Sequence, residues 1–260
     1  MSARIVLGVG LVFLYLPLLV VIGSSFNASR LVSVWTGFST QWYAELFSDR
    51  QILRAAGISL TVAAASATLA SMLGAAAGYA LARLGPFGGR PLFAGLLAMP
   101  LVMPEVISGL ALLLLFVAAQ RMMPWLPGRG VATLIVAHAS LTMAYVAVIV
   151  QARLSGMRRD YEEAAADLGA SPVAVFLHVT LPLIAPALAA GWLLAFVLSL
   201  DDLVIASFVA GPQSTTLPMV VFSSVRLGVS PKINALATIL IVVTLALLVA
   251  ASLLGRKRPK

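Results

Sequence analysis

Apolar residues run along the chain in six long stretches, separated by shorter polar or charged segments. About 20 predominantly apolar residues are enough for a helix to cross the hydrocarbon core of a bilayer. The stretches lie at about residues 5–23, 58–84, 91–118, 131–152, 186–210 and 234–254. The pattern therefore predicts an all-α membrane protein with about six transmembrane helices.

The first stretch, 5–23, has the length of a retained transmembrane helix. The apolar core of a secretory signal peptide usually has only about 7–15 residues, and no clear A-x-A cleavage site follows this stretch. We therefore expect the helix to be kept. The small residues Gly23, Ser24 and Ser25 leave cleavage at this point as the alternative.

The second stretch places small residues on one helical face. Ser66, Ala70, Gly74 and Gly78 are spaced four apart, so they lie above one another on a helix. Small side chains in this arrangement let two helices approach closely in lipid. We expect this face to pack against another helix of the bundle.

Residues 160–186, called the elbow below, carry several charges and are too amphipathic to lie in lipid. Asp160 is predicted to cap a short helix, with Glu163 completing a capping box three residues later. Gly169 suits the left-handed turn that ends such a helix. The elbow is therefore predicted to begin with a helix of about two turns.

A second short helix is predicted after this turn. Ser171 and Pro172 have the residue types favoured at the N-cap and at the first helical position. Pro182 and Pro186 are expected to close the helix, because proline removes a backbone donor. The elbow should thus be a surface-exposed helix, glycine turn and helix.

The composition excludes several classes of function. Hydrophobic residues make up 61% of the 260 residues and charged residues 10%, with a mean hydropathy of +1.05. The elbow and the net charge of +8 would suit a DNA-binding helix-turn-helix, but so apolar a chain is no DNA-binding domain. There is no cysteine, and the two histidines, His138 and His178, are forty residues apart. We expect neither a metal site nor a cofactor in this chain.

The basic residues predict the orientation. The segments expected inside, at 1–4, 83–91, 153–185 and 255–260, hold more than half of the lysines and arginines. Positive loops stay in the cytoplasm, so both termini and the elbow are predicted to be cytoplasmic. The chain, 1–260, is interpreted as one transmembrane domain.

Three carboxylates at membrane depth are candidates for the substrate path. A charged residue near the centre of a membrane helix costs about 2.5–3.5 kcal/mol on insertion scales, so Glu105, Asp201 and Asp202 need a reason to be there. They could line a water-filled passage and attract a cationic solute. Alternatively, they could cap a broken helix or pair with a basic residue. Trp192 is a weaker candidate, because an aromatic face can hold an ammonium group.

One histidine lies within a predicted span. For His138 we expect a hydrogen-bonded bundle residue rather than a proton relay, because no acidic residue lies within a helical turn of it.

The elbow matches the spaced pattern E-A-A-x3-G-x9-[IV]-x-L-P. This resembles the EAA signature of the permease subunits of ABC importers. The resemblance implies the type I permease fold and an elbow that docks into a groove on a separate ATPase. The residues implied to couple to the ATPase are Glu163, Ala164, Ala165, Asp167, Gly169, Val179, Leu181 and Pro182.

Two further segments narrow the resemblance. LSLDDLVIASFVAGP, at 198–212, and MPEVISGLALLLLF, at 103–116, are similar to segments of the polyamine permeases for spermidine and putrescine. Importers of opines, of other amino-acid derivatives and of aminophosphonates share much of this pattern and stay alternatives. The resemblance implies a bacterial inner membrane, a second permease that is a paralogue in a heterodimer, and an extracytoplasmic substrate-binding protein.

The energy source is expected outside the chain. The sequence has no G-x-x-x-x-G-K-[ST] phosphate loop, so ATP and Mg²⁺ are expected on a partner ATPase dimer. The chain itself is predicted to be a transport subunit and not an enzyme, since no nucleophile and base or metal constellation is evident. The opposing interpretation is a secondary transporter that uses the same carboxylates as ion sites.

Overall fold

The computed structural model describes residues 3–31, 34–228 and 230–256, and its regular elements in these ranges are helices. The smaller apolar or amphipathic segments between the long stretches also form helices. In chain order the elements are α1 (Ala3–Ser24), α2 (Gln41–Ser48), α3 (Arg50–Arg83), α4 (Arg90–Val102), α5 (Glu105–Met122), α6 (Val131–Ser155), α7 (Asp160–Asp167), α8 (Pro172–Val175), a π-helical turn (Phe176–Thr180), α9 (Leu181–Leu200), α10 (Val204–Val209), α11 (Leu217–Leu227) and α12 (Pro231–Arg256).

Within the described residues, five helical segments are long and apolar enough to cross a membrane. They overlap the first five apolar stretches of the sequence, so the all-α, multi-pass prediction is confirmed. The apolar segment Pro231–Leu245 of α12 is shorter than these five, and the sixth crossing stays a prediction. The five segments are Ile5–Ser24, Arg50–Arg83, Glu105–Met122, Val131–Ser155 and Pro172–Leu200.

The chain divides into two compact units. In the smaller unit, formed by the residues up to Arg54 and from Val220 onward, α12 packs against α1 and α2. In the larger unit, Ala55–Met219, helix α6 is central and packs against α4, α5, α9 and α10. The prediction of one domain stays a prediction.

The small-residue face of α3 packs closely on α6, as the spacing predicted. Ser66 and Ala70 are fully buried. A Cβ atom added at Gly74 would lie 2.7 Å from the carbonyl oxygen of Met143, and one added at Gly78 would lie 2.6 Å from that of Ala147. Real Cβ atoms do not approach this closely, so glycine is required for the two helices to touch.

The third apolar stretch is broken between α4 and α5. Helix α4 ends at Val102, and α5 begins at Glu105, directly after Pro104. Pro104 disfavours helical dihedrals at Met103, which is extended. Pro100 lies within α4. The break places Glu105 in the first turn of α5, within the third apolar stretch.

Candidate functional site

The first helix of the elbow, α7, ends at a left-handed glycine turn, as the sequence predicted. Gly169 has a φ of +85°, which is the left-handed region. The Gly169 N–H donates to the Ala166 carbonyl at 2.9 Å, and the Ala170 N–H donates to the Ala165 carbonyl at 3.1 Å. These bonds satisfy carbonyls that the end of a helix leaves free. Glycine is therefore needed at the turn.

The predicted capping box at the start of α7 is wrong. Helix α7 begins at Asp160, so the N-cap position falls on Arg159, and no side chain caps it. Asp160 and Glu163 lie in the first turn instead, where a carboxylate is favoured by the positive end of the helix dipole. Asp160 pairs with Arg158 at 2.5 Å.

The start of the second elbow helix is confirmed, but its predicted end is wrong. Ser171 Oγ accepts a hydrogen bond from the Ala174 N–H at 3.3 Å, and Pro172 is the first residue of α8. The helix then continues through the π-helical turn into α9, past both Pro182 and Pro186. Pro182 lies in the first turn of α9, next to the widened π turn, where the missing donor breaks fewer regular bonds.

A glutamate that the motif does not specify anchors the elbow. Glu162 Oε1 accepts a hydrogen bond from Thr180 Oγ1 at 2.9 Å, and Oε2 lies 2.9 Å from Arg83 Nε. The Arg83 and Glu162 side chains are mostly buried, at 7% and 13% exposure. This cluster joins α7 to the end of α3 and to the helix that leads into α9. The EAA pattern specifies Glu163, but successive helical residues point in different directions, and Glu162 is the one turned inward.

The outer side of the elbow is exposed and partly apolar. Glu163 is exposed, and so are the apolar side chains of Leu168, at 91%, and Val173, at 67%. The predicted coupling residues divide between this outer side and the packing beneath it. Ala164, Asp167, Gly169 and Pro182 are also exposed, whereas Ala165, Val179 and Leu181 are half-buried.

A cavity of about 310 Å³ lies where α5, α6, α9 and α10 meet. Its lining includes Glu105, Asp201 and Asp202, so the structure brings together the three carboxylates that the sequence proposed for a substrate path. Among the described residues that line it there is no lysine or arginine. We call this space the acidic cavity.

The acidic cavity owes two of its carboxylates to the end of α9. The helix ends at Leu200, and Asp201 is its exposed C-terminal flanking residue. Asp202 accepts hydrogen bonds from the N–H groups of Ile205 at 3.4 Å and Ala206 at 2.8 Å, and thereby caps α10. Asp202 therefore both caps a broken helix and lines the cavity, so the two interpretations of this residue are compatible.

His138 joins the cavity from α6. Its ring is 2% exposed, Nδ1 lies 2.6 Å from Ser199 Oγ, and Nε2 lies 3.3 Å from Asp202 Oδ2. The prediction of a hydrogen-bonded bundle residue is confirmed. Asp202 was missed as its neighbour because it comes from another segment, 64 residues later, and not from the same helical turn.

Trp192 lies elsewhere. It stacks on Phe196, with ring centroids 5.3 Å apart, and its Nε1 donates to Thr68 Oγ1 at 3.1 Å. It packs against the buried cluster around α6 and α9 and is not among the residues that line the acidic cavity. The structure therefore does not bring Trp192 together with the carboxylates.

Residues 70–257 match the family described as "Binding-protein-dependent transport system inner membrane component". The match spans the elbow, the acidic cavity and more than half of the chain. The chain belongs to this family. It is accordingly a multi-pass inner-membrane transport component, and the alternative of an ion-coupled secondary transporter is set aside.

Two relatives of this chain are named as permeases of polyamine transport systems. The chain is 55% identical to the putrescine transport system permease protein PotI of Escherichia coli (strain K12), over 91% of this chain and 84% of that protein. It is 40% identical to the spermidine/putrescine transport system permease protein PotC of the same organism, over 95% and 91%.

Solved structures share the fold. One is described as a bacterial ABC transporter involved in the import of the acidic polysaccharide alginate, with a TM-score of 0.72 at 15% identity, covering 98% of this chain and 95% of that one. Another is an amino acid ABC transporter with histidines, with a TM-score of 0.58 at 16% identity, covering 84% and 98%. At these identities the likeness shows the permease fold alone.

Proposed function

We propose that this chain is the permease subunit of an ATP-driven importer that moves a polyamine of the putrescine or spermidine class across the inner membrane. The observation that carries the proposal is the acidic cavity, in which Glu105, Asp201 and Asp202 meet without a lysine or arginine among the described lining residues. The names of the relatives at 55% and 40% identity support the same substrate class.

The charge of the cavity matches that of a polyamine. Polyamines carry several ammonium groups, each of which loses hydration when it enters a bundle of helices. Two opposite unit charges 4 Å apart attract each other by about 4 kcal/mol at an effective dielectric constant of 20. Several carboxylates can therefore offset the dehydration of several ammonium groups. A neutral solute of the same length gains nothing from them.

The elbow supplies a surface for the partner that hydrolyses ATP. Its exposed Glu163, Leu168 and Val173 offer a carboxylate beside apolar side chains, which suits a helix that docks into a groove. On its inner side, Glu162 is bonded to Arg83 and Thr180. A movement of the docked elbow would thus be passed to α3 and α9. ATP and Mg²⁺ would be bound by that partner.

The complete importer in this proposal has further subunits. A second permease, a paralogue that forms a heterodimer with this chain, would close the other side of the passage. A substrate-binding protein would deliver the polyamine from outside, and a dimer of ATPase subunits would bind the elbows. The family description, with its binding-protein-dependent transport, supports such an assembly.

The test is uptake by the complete transporter in proteoliposomes supplied with ATP. Uptake of spermidine, of putrescine and of a neutral diol as long as putrescine would be compared in wild type, Asp201→Asn and Asp202→Asn. Asparagine keeps the ability to cap a helix, so Asp202→Asn should remove the charge and preserve α10. We expect uptake of spermidine to fall more than uptake of putrescine, with normal assembly.

The matched control is Glu45→Gln, which removes an exposed carboxylate on α2, in the smaller unit. It should leave uptake unchanged. If both cavity variants take up spermidine at the wild-type rate, the cavity is not the polyamine path. If they lose thermal stability and all solutes fall alike, the carboxylates are structural.

A further inference from the structure

Four polar side chains form a continuous line beside the acidic cavity, and three of them are buried. Ser66 Oγ on α3 donates to Ser199 Oγ on α9 at 3.0 Å. Ser199 Oγ lies 2.6 Å from His138 Nδ1 on α6, and His138 Nε2 lies 3.3 Å from Asp202 Oδ2. Ser66, Ser199 and His138 are 0%, 5% and 2% exposed. A polyamine path needs the carboxylates, but it does not by itself need this line.

The hydrogen atoms of the line can be arranged in two ways. In the first, Ser66 donates to Ser199, Ser199 donates to Nδ1, and the His138 ring is neutral. In the second, a protonated ring donates from Nδ1 to Ser199, Ser199 donates to Ser66, and Ser66 donates to the Ala63 carbonyl, which lies 3.2 Å away. Every hydroxyl hydrogen has an acceptor in both arrangements, so the structure accommodates His138 with or without the extra proton.

The other ring nitrogen faces a carboxylate. Because Nε2 is 3.3 Å from an oxygen of Asp202, it carries a hydrogen in both arrangements. Nε2 is buried and makes no hydrogen bond within the described residues, and Asp202 Oδ2 accepts a hydrogen bond from the Ala206 N–H. When the ring is protonated, its positive charge attracts the Asp202 carboxylate. Adding a proton to Nδ1 changes the charge of the pair from −1 to 0.

The other titratable groups around the cavity are acidic or phenolic. Glu105 faces it from α5, Asp201 from the end of α9 and Tyr145 from α6 itself. The described lining residues of α4 and α10 are Pro100 and the apolar side chains of Val204 and Ile205. Among the described lining residues, His138 is thus the side chain that can bring a positive charge to the cavity by binding a proton.

We propose that His138 is the counter-charge of the empty acidic cavity, which takes up a proton when no cation is present and releases it to water when an ammonium group reaches Asp202. The inference rests on the proposed polyamine function and deepens it. Without a cation, like charges of the carboxylates repel one another, and a protonated His138 offsets one of them. With a polyamine bound, a second positive charge at His138 opposes it. Substrate and proton therefore compete.

The kinetic test uses the complete transporter in proteoliposomes, with uptake of spermidine measured from about pH 5 to pH 8. In wild type, the KM for spermidine should rise towards acid pH, by up to about tenfold per pH unit, with kcat unchanged, because one proton competes with one substrate. His138→Gln cannot take up the proton, and its KM should stay flat. A wild-type pH profile in His138→Gln would overturn the proposal.

A second variant, which leaves His138 in place, tests the proposal even if His138→Gln does not fold. Ser66→Ala removes the hydroxyl that accepts from Ser199 in the protonated arrangement, so the rise in KM at acid pH should shrink. The control is Ser71→Ala on the same helix, because Ser71 Oγ is buried without a hydrogen-bond partner among the described residues. Equal pH profiles in Ser66→Ala and Ser71→Ala would count against the line.

Direct observation of the ring separates this inference from the proposed function. The chain has two histidines, so His178→Gln leaves His138 as its single histidine, and the ring can be observed by NMR with ¹⁵N-labelled chain in an otherwise unlabelled transporter. At fixed pH, the protonated fraction should fall when spermidine is added. A protonated fraction that stays the same when spermidine is added overturns the inference, even if polyamines are transported. Absence of polyamine transport overturns the proposed function, but the protonated fraction of His138 in the empty transporter can still be measured.

Discussion

Glu162 and Arg83 are 79 residues apart in the chain, yet their side chains form an ion pair of 2.9 Å that is almost buried. Glu163, the residue that follows Glu162, is exposed. The two adjacent glutamates therefore serve different purposes: one fastens the elbow to α3, and the other faces outward, towards the surface that we assign to the ATPase.

This difference predicts opposite phenotypes for two adjacent substitutions. Glu162→Gln leaves Arg83 without its partner in a buried place and should destabilise the protein by about 3 kcal/mol. Glu163→Gln should change stability by less than about 0.5 kcal/mol, as at other exposed sites, but should lower uptake driven by ATP. Thermal unfolding of the purified transporter and uptake at equal protein amounts check both. Equal stability of the two variants would contradict the pairing.

Close packing of α3 on α6 makes a prediction for two glycines of the same helix. Gly78→Ala would place a Cβ 2.6 Å from a backbone carbonyl and should destabilise by about 1–3 kcal/mol through overpacking. Gly57→Ala has nothing within 4 Å and should stabilise slightly, because alanine favours the helix. The measurement is thermal unfolding in one detergent. A stabilised Gly78→Ala would show that the helices are farther apart.

The pair formed by Asp49 and Lys232 predicts a dependence on acid pH. The hydrogen bond from Lys232, together with bonds from the Gln51 and Ile52 N–H groups, holds the pKa of Asp49 below its ordinary value, although partial burial acts against this. A lowered folded-state pKa means that the stabilisation is complete above the unfolded pKa and is lost as pH falls through the folded one.

Unfolding temperature should therefore drop below about pH 4 in wild type, and less so in Asp49→Asn. The control is Glu45→Gln, an exposed carboxylate on the neighbouring helix α2, which should follow the wild-type curve. Identical acid curves for wild type and Asp49→Asn would show that the pair contributes nothing.

Orientation in the membrane is still a prediction, and the absence of cysteine makes it simple to test. Trp35 is 60% exposed in the loop after α1, and Ala164 is exposed on the elbow. In whole cells, a thiol reagent that cannot cross the inner membrane should label Trp35→Cys and miss Ala164→Cys. After permeabilisation both should react. The reverse pattern in intact cells would place the elbow outside.

Local features of the sequence predicted local features of the structure. The first five apolar stretches, the turn at Gly169, the cap at Ser171 and the small-residue face at Gly74 depend on one helix or one turn at a time, and each was confirmed. The cap at Asp160 failed because the helix starts one residue earlier than its pattern suggests. The predicted helix end at Pro182 was wrong, because the helix continues through the π-helical turn and Pro182 lies in the first turn of α9.

Pairings between distant segments could not be predicted in this way. His138 meets Asp202, and Arg83 meets Glu162, only after α6, α9 and the elbow have packed. The two partners of each pair lie far more than one helical turn apart in the sequence, so local spacing does not reveal them. The three carboxylates were nevertheless found, because a charge in an apolar stretch is costly wherever its partner lies. Their side-by-side arrangement around one cavity required the structure.

The helical segment Pro172–Leu200 runs without interruption from the elbow to the residue before Asp201. At 1.5 Å per residue, its 29 residues measure about 43 Å, the thickness of a bilayer with its headgroups. The segment is therefore long enough to reach from one surface of the membrane to the other. A tilt of about 10° at one end displaces the other by about 7 Å, so in the function proposed above a small rotation of the elbow would carry Asp201 past an ammonium group of the substrate.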